Sequence, residues 1–291
     1  MEPLDDARTD AYLRRLGVDS RPGRASPEAL RELHLLHLRT VPFENLAIHL
    51  GEEIALTRDA LFDKIVTAGR GGICYELNGG FAELLVSLGY RVELLQARVY
   101  GKDGEPGIPY DHLALRVDGR WLADVGFGEH STYPLDLDEP GEQKDPGGVF
   151  LIRPAGEGTD GTDGTDGTDG TDGTDRTEGD LDVLRDGVPA YRLETRPRVL
   201  ADFRTGAWWH STSPESGFTR GPVCSRITED GGRITLRDHT LITTSADGDR
   251  GEEELATDEE VREAYRTRFG IVLDRLPVPL HPRPQGVRRG A

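Results

Sequence analysis

The spacing of apolar residues changes once along this chain, and that change limits what it can fold into. Up to Leu88 they recur at helical intervals: Leu30, Leu33 and Leu36, then Leu61, Phe62, Ile65 and Val66, then Leu77, Phe81, Leu84 and Leu85. From Arg91 the period becomes two, beginning with Val92 and Leu94 and resuming at Ala97 and Val99. One pattern buries a stripe of a helix and the other a face of a strand. A helical part therefore precedes a part rich in strands.

Local signals set the helix limits. A short first helix spans residues 10–16 and stops at Gly17. Ser26-Pro27 supplies an N-cap with proline at the first helical position. That helix runs to about residue 39, and Pro42 breaks it. Thr57 caps the next helix, and Gly89 ends the one after it. His34 and His37 lie three apart, but no third ligand follows at metal-binding spacing. Near the C-terminus, Thr257-x-x-Glu260 forms a capping box, and the chain from Leu276 is Pro- and Arg-rich and expected to be extended.

Residues 112–117 and 120–125 flank Asp118-Gly119, a hairpin signal. A two-residue loop there would mix Arg120 and Asp124 with Leu113, Leu115 and Leu122 on one face. A three-residue loop at Val117-Asp118-Gly119 pairs Arg116 with Arg120 and gathers Leu113, Leu115, Trp121, Ala123 and Val125 on one apolar face. Burying unpaired charge among aliphatics is costly, so the second register is expected. It sets His112 directly opposite Asp124.

The chemistry centres on Arg70-Gly71-Gly72-Ile73-Cys74-Tyr75-Glu76-Leu77-Asn78. A Gly-Gly turn leads into a helix with a cysteine on its first turn. Aligned peptide dipoles there favour thiolate over thiol, and the glycines let the backbone approach a ligand. A thiolate nucleophile needs a base and a carboxylate to orient it. Cys74, His112 and Asp124 supply that set. With Cys224 as the second of two cysteines, the chain has neither a disulfide framework nor a Cys-rich zinc site.

Net charge is −18 in 291 residues. Residues 157–180 carry nine acids and one base, and the remainder is still acidic at −10, which excludes a basic nucleic-acid-binding face. Residues 158–175 are six copies of Gly-Thr-Asp with nothing apolar to bury, so a disordered acidic loop inserted between strands is expected. Calcium-binding repeats would carry an apolar residue in each turn. The strands expected around it are residues 147–153 and 191–193. No apolar run is long enough to span a bilayer, and the acidic start Met1-Glu2-Pro3-Leu4-Asp5-Asp6 lacks a secretory pattern. A soluble cytoplasmic protein is expected.

The chain resembles the arylamine N-acetyltransferases. Residues 70–78 are similar to that family's R-G-G-x-C-x-E-L-N signature, and Pro42-Phe43-Glu44-Asn45 to its P-F-E-N segment. His112-Leu113 and Ala123-Asp124-Val125-Gly126-Phe127-Gly128 match its base and acid segments. Ser211-Thr212-Ser213-Pro214-x-Ser216-x-Phe218 matches its downstream motif. The resemblance implies an α+β fold with a papain-like triad in three regions: an N-terminal helical bundle (1–94) carrying the nucleophile; a central antiparallel β-barrel (95–206) with a disordered acidic insert at 155–180; and a C-terminal α/β lid (207–291) with the Pro/Arg-rich tail. It implies ping-pong transfer from acetyl-CoA through an acetyl-Cys74 thioester to an arylamine or arylhydrazine, with no metal. Cys74, His112 and Asp124 are then catalytic, and Phe43, Gly126, Phe127, Gly128 and Phe218 line the acceptor and CoA cleft. Arg70 and Glu44 are expected to form a structural ion pair. Arg220 or Arg226 would meet the CoA phosphates.

Other readings share these residues. An amide synthase would close a macrolactam from a carrier-bound polyketide chain. A thiol hydrolase would consume acetyl-CoA without competition from added amine. A non-enzymatic CoA- or aromatic-binding module would be indifferent to Cys74→Ala.

Overall fold

The computed structural model describes residues 2–156 and 179–282. The Gly-Thr-Asp repeats and the Arg-rich end of the tail lie outside the described residues.

Helices α1 (Asp6–Arg15), α2 (Pro27–Thr40), α3 (Leu46–Leu50), α4 (Arg58–Phe62) and α5 (Cys74–Ser87) build the first part. The first helix begins earlier than the apolar pattern suggests, because Asp5 accepts from the Arg8 N–H and caps it at 2.8 Å. Ser26 and Thr57 cap α2 and α4 as expected, and a wide turn over Asp63–Thr67 extends α4. Most of α5 is enclosed: residues 74–85 are all buried.

An eight-stranded antiparallel sheet, curled into a nearly closed barrel, follows in the order β5-β4-β3-β2-β9-β8-β7-β6. Its strands are β2 (Val92–Val99), β3 (His112–Val117), β4 (Trp121–Ala123), β5 (Leu135–Asp136), β6 (Gln143–Asp145), β7 (Gly148–Pro154), β8 (Leu181–Arg185) and β9 (Val188–Leu193). The fold class is α+β. A second antiparallel sheet pairs β1 (Phe43–Glu44) with β10 (Val223–Ile227), then β11 (Arg233–Arg237), β12 (Thr240–Thr244) and β13 (Arg250–Glu254). Helix α6 (Arg204–Thr212) precedes this sheet, and α7 (Asp258–Phe269) packs on it after the Thr257–Glu260 capping box.

The β3–β4 hairpin separates two cores. Leu113, Leu115, Val117, Ala123 and Val125 pack on the helices, whereas Ala114 and Leu122 face the barrel interior with Phe150, Val183 and Tyr191. The apolar face is the expected one, but the register is not. Val117 pairs with Trp121 and Leu115 with Ala123, so the loop is Asp118-Gly119-Arg120, one residue later than expected. Asp118 and Gly119 both take positive φ (52° and 78°), and the Arg120 N–H donates to the Val117 carbonyl at 3.1 Å. This is a type I′ turn with Arg120 as an extra residue. His112 and Asp124 share a face but lie diagonally rather than directly opposite.

The insert joins β7 to β8, which are adjacent and paired Pro154↔Leu181. The Ala155 N–H donates to the Asp180 carbonyl at 2.9 Å across its base. Strand β8 went unmarked in the sequence reading because its apolar run is short and abuts the repeats.

Candidate active site

Cys74 is the first residue of α5, and a buried ion pair fixes the start of that helix. The Glu76 carboxylate accepts from the Ile73 N–H (3.1 Å) and from Lys64 Nζ (2.7 Å). Gly71 is required for the approach: a Cβ there would sit 1.8 Å from the Pro42 carbonyl oxygen.

His112 opens β3, and Asp124 follows the last residue of β4. His112 Nε2 lies 2.7 Å from Asp124 Oδ2, with both side chains buried. The other carboxylate oxygen accepts from Asn78 Nδ2 (2.8 Å) and the Gly126 N–H (3.0 Å). Asn78 stands one turn beyond Cys74 on α5. It also donates to the Leu113 carbonyl (2.6 Å) and accepts from the Val125 N–H (2.9 Å). One fully buried side chain thus ties the helix of Cys74 to the strand of His112 and the turn of Asp124. His34 Nε2 accepts from the Asp124 N–H (3.1 Å), while its Nδ1 faces the Thr132 carbonyl (3.0 Å). His34 therefore supports the backbone at Asp124. Among the described residues no group of three or more His, Cys, Asp or Glu could hold a metal ion.

Burial opposes charge on the His112 ring, but Asp124, and Cys74 in the same sense, overcome it and raise its pKa to about 10. Burial likewise opposes the Asp124 carboxylate, yet His112 holds its pKa down at about 2. The folded protein therefore favours an imidazolium–carboxylate pair.

Cys74, His112, Phe43, Gly126, Phe127 and Phe218 line one cavity of about 270 Å³, together with Val99, Asp111 and His210. Asp124 sits behind His112. Gly126 is where the acid's turn meets α5: a Cβ there would lie 2.7 Å from Cys74 Cα. Gly128 does not reach this cavity; it takes φ 92°, and its carbonyl accepts from Arg233 Nη2 at 2.7 Å. Phe127 packs edge-on against His112, with ring centroids 5.1 Å apart.

A family model for N-acetyltransferases matches residues 27–278. The arylamine N-acetyltransferase of Mycolicibacterium smegmatis is 34% identical over 275 residues, covering 91% of this chain and 92% of its own length. The chain belongs to the arylamine N-acetyltransferase family. Members of this family are acyltransferases. The solved arylamine N-acetyltransferase of Salmonella typhimurium superposes with a TM-score of 0.78 at 28% identity, covering 92% of each chain. That of Mycobacterium marinum, in complex with CoA, superposes at 0.74 and 29%, covering 90% of this chain and 92% of its own.

In this arylamine N-acetyltransferase family member the Phe43 loop stitches the parts together. Phe43 pairs with Ser225 in the second sheet and bridges to Gly72 beside the nucleophile. Glu44 Oε1 accepts from Arg70 Nε at 2.9 Å, and Oε2 accepts from the Leu46 N–H at 2.7 Å. That ion pair is largely buried, and neither residue lines the cavity. Asn45 donates to the Phe218 and Gly221 carbonyls (2.9 and 3.0 Å) and so fixes the segment carrying Phe218. Of the two arginines expected at phosphates, Arg226 donates to the Arg39, Ile227 and Arg268 carbonyls, whereas Arg220 is exposed on the segment after Phe218. No helix of the described residues is long and apolar enough to cross a membrane.

The supporting roles of Asn78 and His34, and the presence of Asp111 and His210 in the wall, were missed in the sequence. Asn78 falls inside the signature segment but shows no role without a partner. His34 and Asp124 are 90 positions apart, and no local pattern links them.

Proposed function

We propose that the chain transfers the acetyl group of acetyl-CoA to an arylamine or arylhydrazine by a ping-pong mechanism through an acetyl-Cys74 thioester. One observation carries this reading: Cys74, at a helix start, and His112, paired with a buried carboxylate, share the wall of one largely aromatic cavity.

In the first half-reaction His112 holds the thiol proton and Cys74 sulfur attacks the acetyl carbonyl. The developing oxyanion meets the Cys74 N–H, which at the first position of a helix has no intrahelical acceptor. Collapse expels CoA, whose sulfur takes the proton from His112. In the second half-reaction the amine nitrogen attacks the thioester, His112 removes its proton, and Cys74 leaves as thiolate. Asp124 orients the imidazole and stabilises its charged form throughout. Phe43, Gly126, Phe127 and Phe218 form the acceptor walls, and Gly128 shapes the turn that carries Phe127. The CoA complex of the Mycobacterium marinum relative supports the donor. The free thiols Cys74 and Cys224 suit the reducing cytoplasm.

Intact mass after incubation with acetyl-CoA tests the scheme. The expected result is a gain of one acetyl group that is absent in Cys74→Ser and discharged by an added arylamine. Absence of the adduct in the wild type, or its persistence in Cys74→Ser, overturns the scheme.

A further inference from the structure

The cavity has a second carboxylate, and this one is in the wall itself. Asp111 immediately precedes His112, and its side chain lines the cavity, which that of Asp124 does not. Its Oδ1 lies 2.9 Å from His210 Nε2, and its Oδ2 accepts from the Val99 N–H at 3.1 Å. The two side chains are 13% and 10% exposed. His210 reaches Asp111 from α6, 99 positions away in sequence. Among the described residues no lysine or arginine pairs with Asp111.

Both ring nitrogens of His210 have partners. Ser216 Oγ accepts from the Phe218 N–H at 3.2 Å and lies 3.2 Å from His210 Nδ1. His210 Nε2 donates to the Asp111 carboxylate. Ser216, His210 and Asp111 thus stand in the order of a hydrolytic triad, but Ser216 is fully buried and absent from the cavity wall. This array binds rather than attacks. His210 packs against Phe218 at 4.9 Å and Phe218 against Phe43 at 5.8 Å, so the carboxylate sits at the end of an aromatic slot.

A carboxylate has about four acceptor positions. The protein's own donors leave some of them open to the cavity. In a desolvated aromatic site an open carboxylate favours a cation or an N–H donor and repels an anion. We propose that Asp111, held in place by His210, selects the acceptor: it binds a cationic or N–H-donating group carried by the aromatic amine, so basic arylamines are preferred over arylamine carboxylates. This rests on the acetyl-transfer reading, which supplies the reaction but not the preference.

Three acceptors of one shape test it: 4-aminobenzamidine (cation), 4-aminobenzamide (neutral) and 4-aminobenzoate (anion). Ratios of kcat/KM between acceptors, compared in wild type and Asp111→Asn, cancel differences in nucleophilicity and any general loss of activity. The amidine-to-amide ratio is expected to fall about tenfold in Asp111→Asn, and the benzoate-to-amide ratio to rise. His210→Gln, which can still donate to Asp111, is expected to fall between. Ratios that stay constant while all rates drop would make Asp111 merely a support for His112 and overturn the proposal. Dissociation constants of the amidine and the amide, measured by calorimetry without donor, read the preference apart from turnover. If acetyl transfer fails while the amidine preference persists and disappears in Asp111→Asn, the reaction assignment falls and the binding site stands. Equal affinities in the wild type overturn the site.

Discussion

Replacing Asn78 with alanine is the sharpest test of how this site is held together. The wild-type side chain is fully buried and makes three hydrogen bonds, to Asp124, the Leu113 carbonyl and the Val125 N–H. Each is worth about 1 kcal/mol net, and each buried partner left unpaired costs about 1–3 kcal/mol. Asp124 keeps His112 and the Gly126 N–H, so the penalty falls mainly on the two backbone groups. The expected destabilisation is about 3–5 kcal/mol, or on the order of 10 °C in Tm. Urea unfolding monitored by tryptophan fluorescence measures it. Acetylation of Cys74, followed by intact mass, should slow on the order of tenfold to a hundredfold as the acid's turn loosens. Asn78→Asp sharpens the test. It keeps the acceptor for Val125 but sets a second carboxyl against Asp124, and two such groups cannot share a buried site while both ionised. Its cost should exceed that of alanine at pH 8 and shrink toward pH 5. A loss below about 1 kcal/mol for Asn78→Ala, with acetylation unaffected, would refute the claim that this residue joins the triad's three elements.

Other outcomes follow from the same geometry. The His112 pKa is raised from 6.5 to about 10, so its stabilising pairing is full below pH 6.5 and is lost as pH rises toward 10. Asp124 is depressed from 3.8 to about 2, so its share is present above pH 3.8 and is lost as pH falls toward 2. The stability difference between wild type and His112→Asn should therefore be largest between about pH 4 and 6.5, as urea titrations across pH would show. Burial raises the Glu83 pKa from 4.5 to about 7, so its ionisation costs stability as pH rises through that range. Glu83→Gln should gain about 3 kcal/mol at pH 8 and nothing below pH 4, read by the same titration. Gly126→Ala should abolish Cys74 acetylation in the mass assay, because its Cβ would collide with the backbone of α5; ordinary acetylation in that variant would show that the turn can shift.

How much of this was legible in the sequence depended on how local each cause is. The caps at Ser26, Thr57 and Thr257 act within three residues and were visible. The apolar face of the β3–β4 hairpin was visible too, because any register that keeps the odd positions together buries the same set. The turn itself was not. Loops at 117–119 and 118–120 share that parity, and Asp118 decides between them by entering the left-handed region and accepting from the Arg91 N–H at 3.0 Å. Cys74, His112 and Asp124 could be singled out because catalysis restricts residue type. Asn78, His34 and the Asp111–His210 pair could not, since each gains its role only when distant segments meet.

The β7–β8 junction has a practical consequence. Two contacts that close it, Ala155 to Asp180 and Gly156 to Asp182, are made by described residues on either side of the repeats. Doubling the length of a flexible connection costs only about 0.6 kcal/mol. Chain ends held together by paired strands make this position a natural port for grafting a reporter.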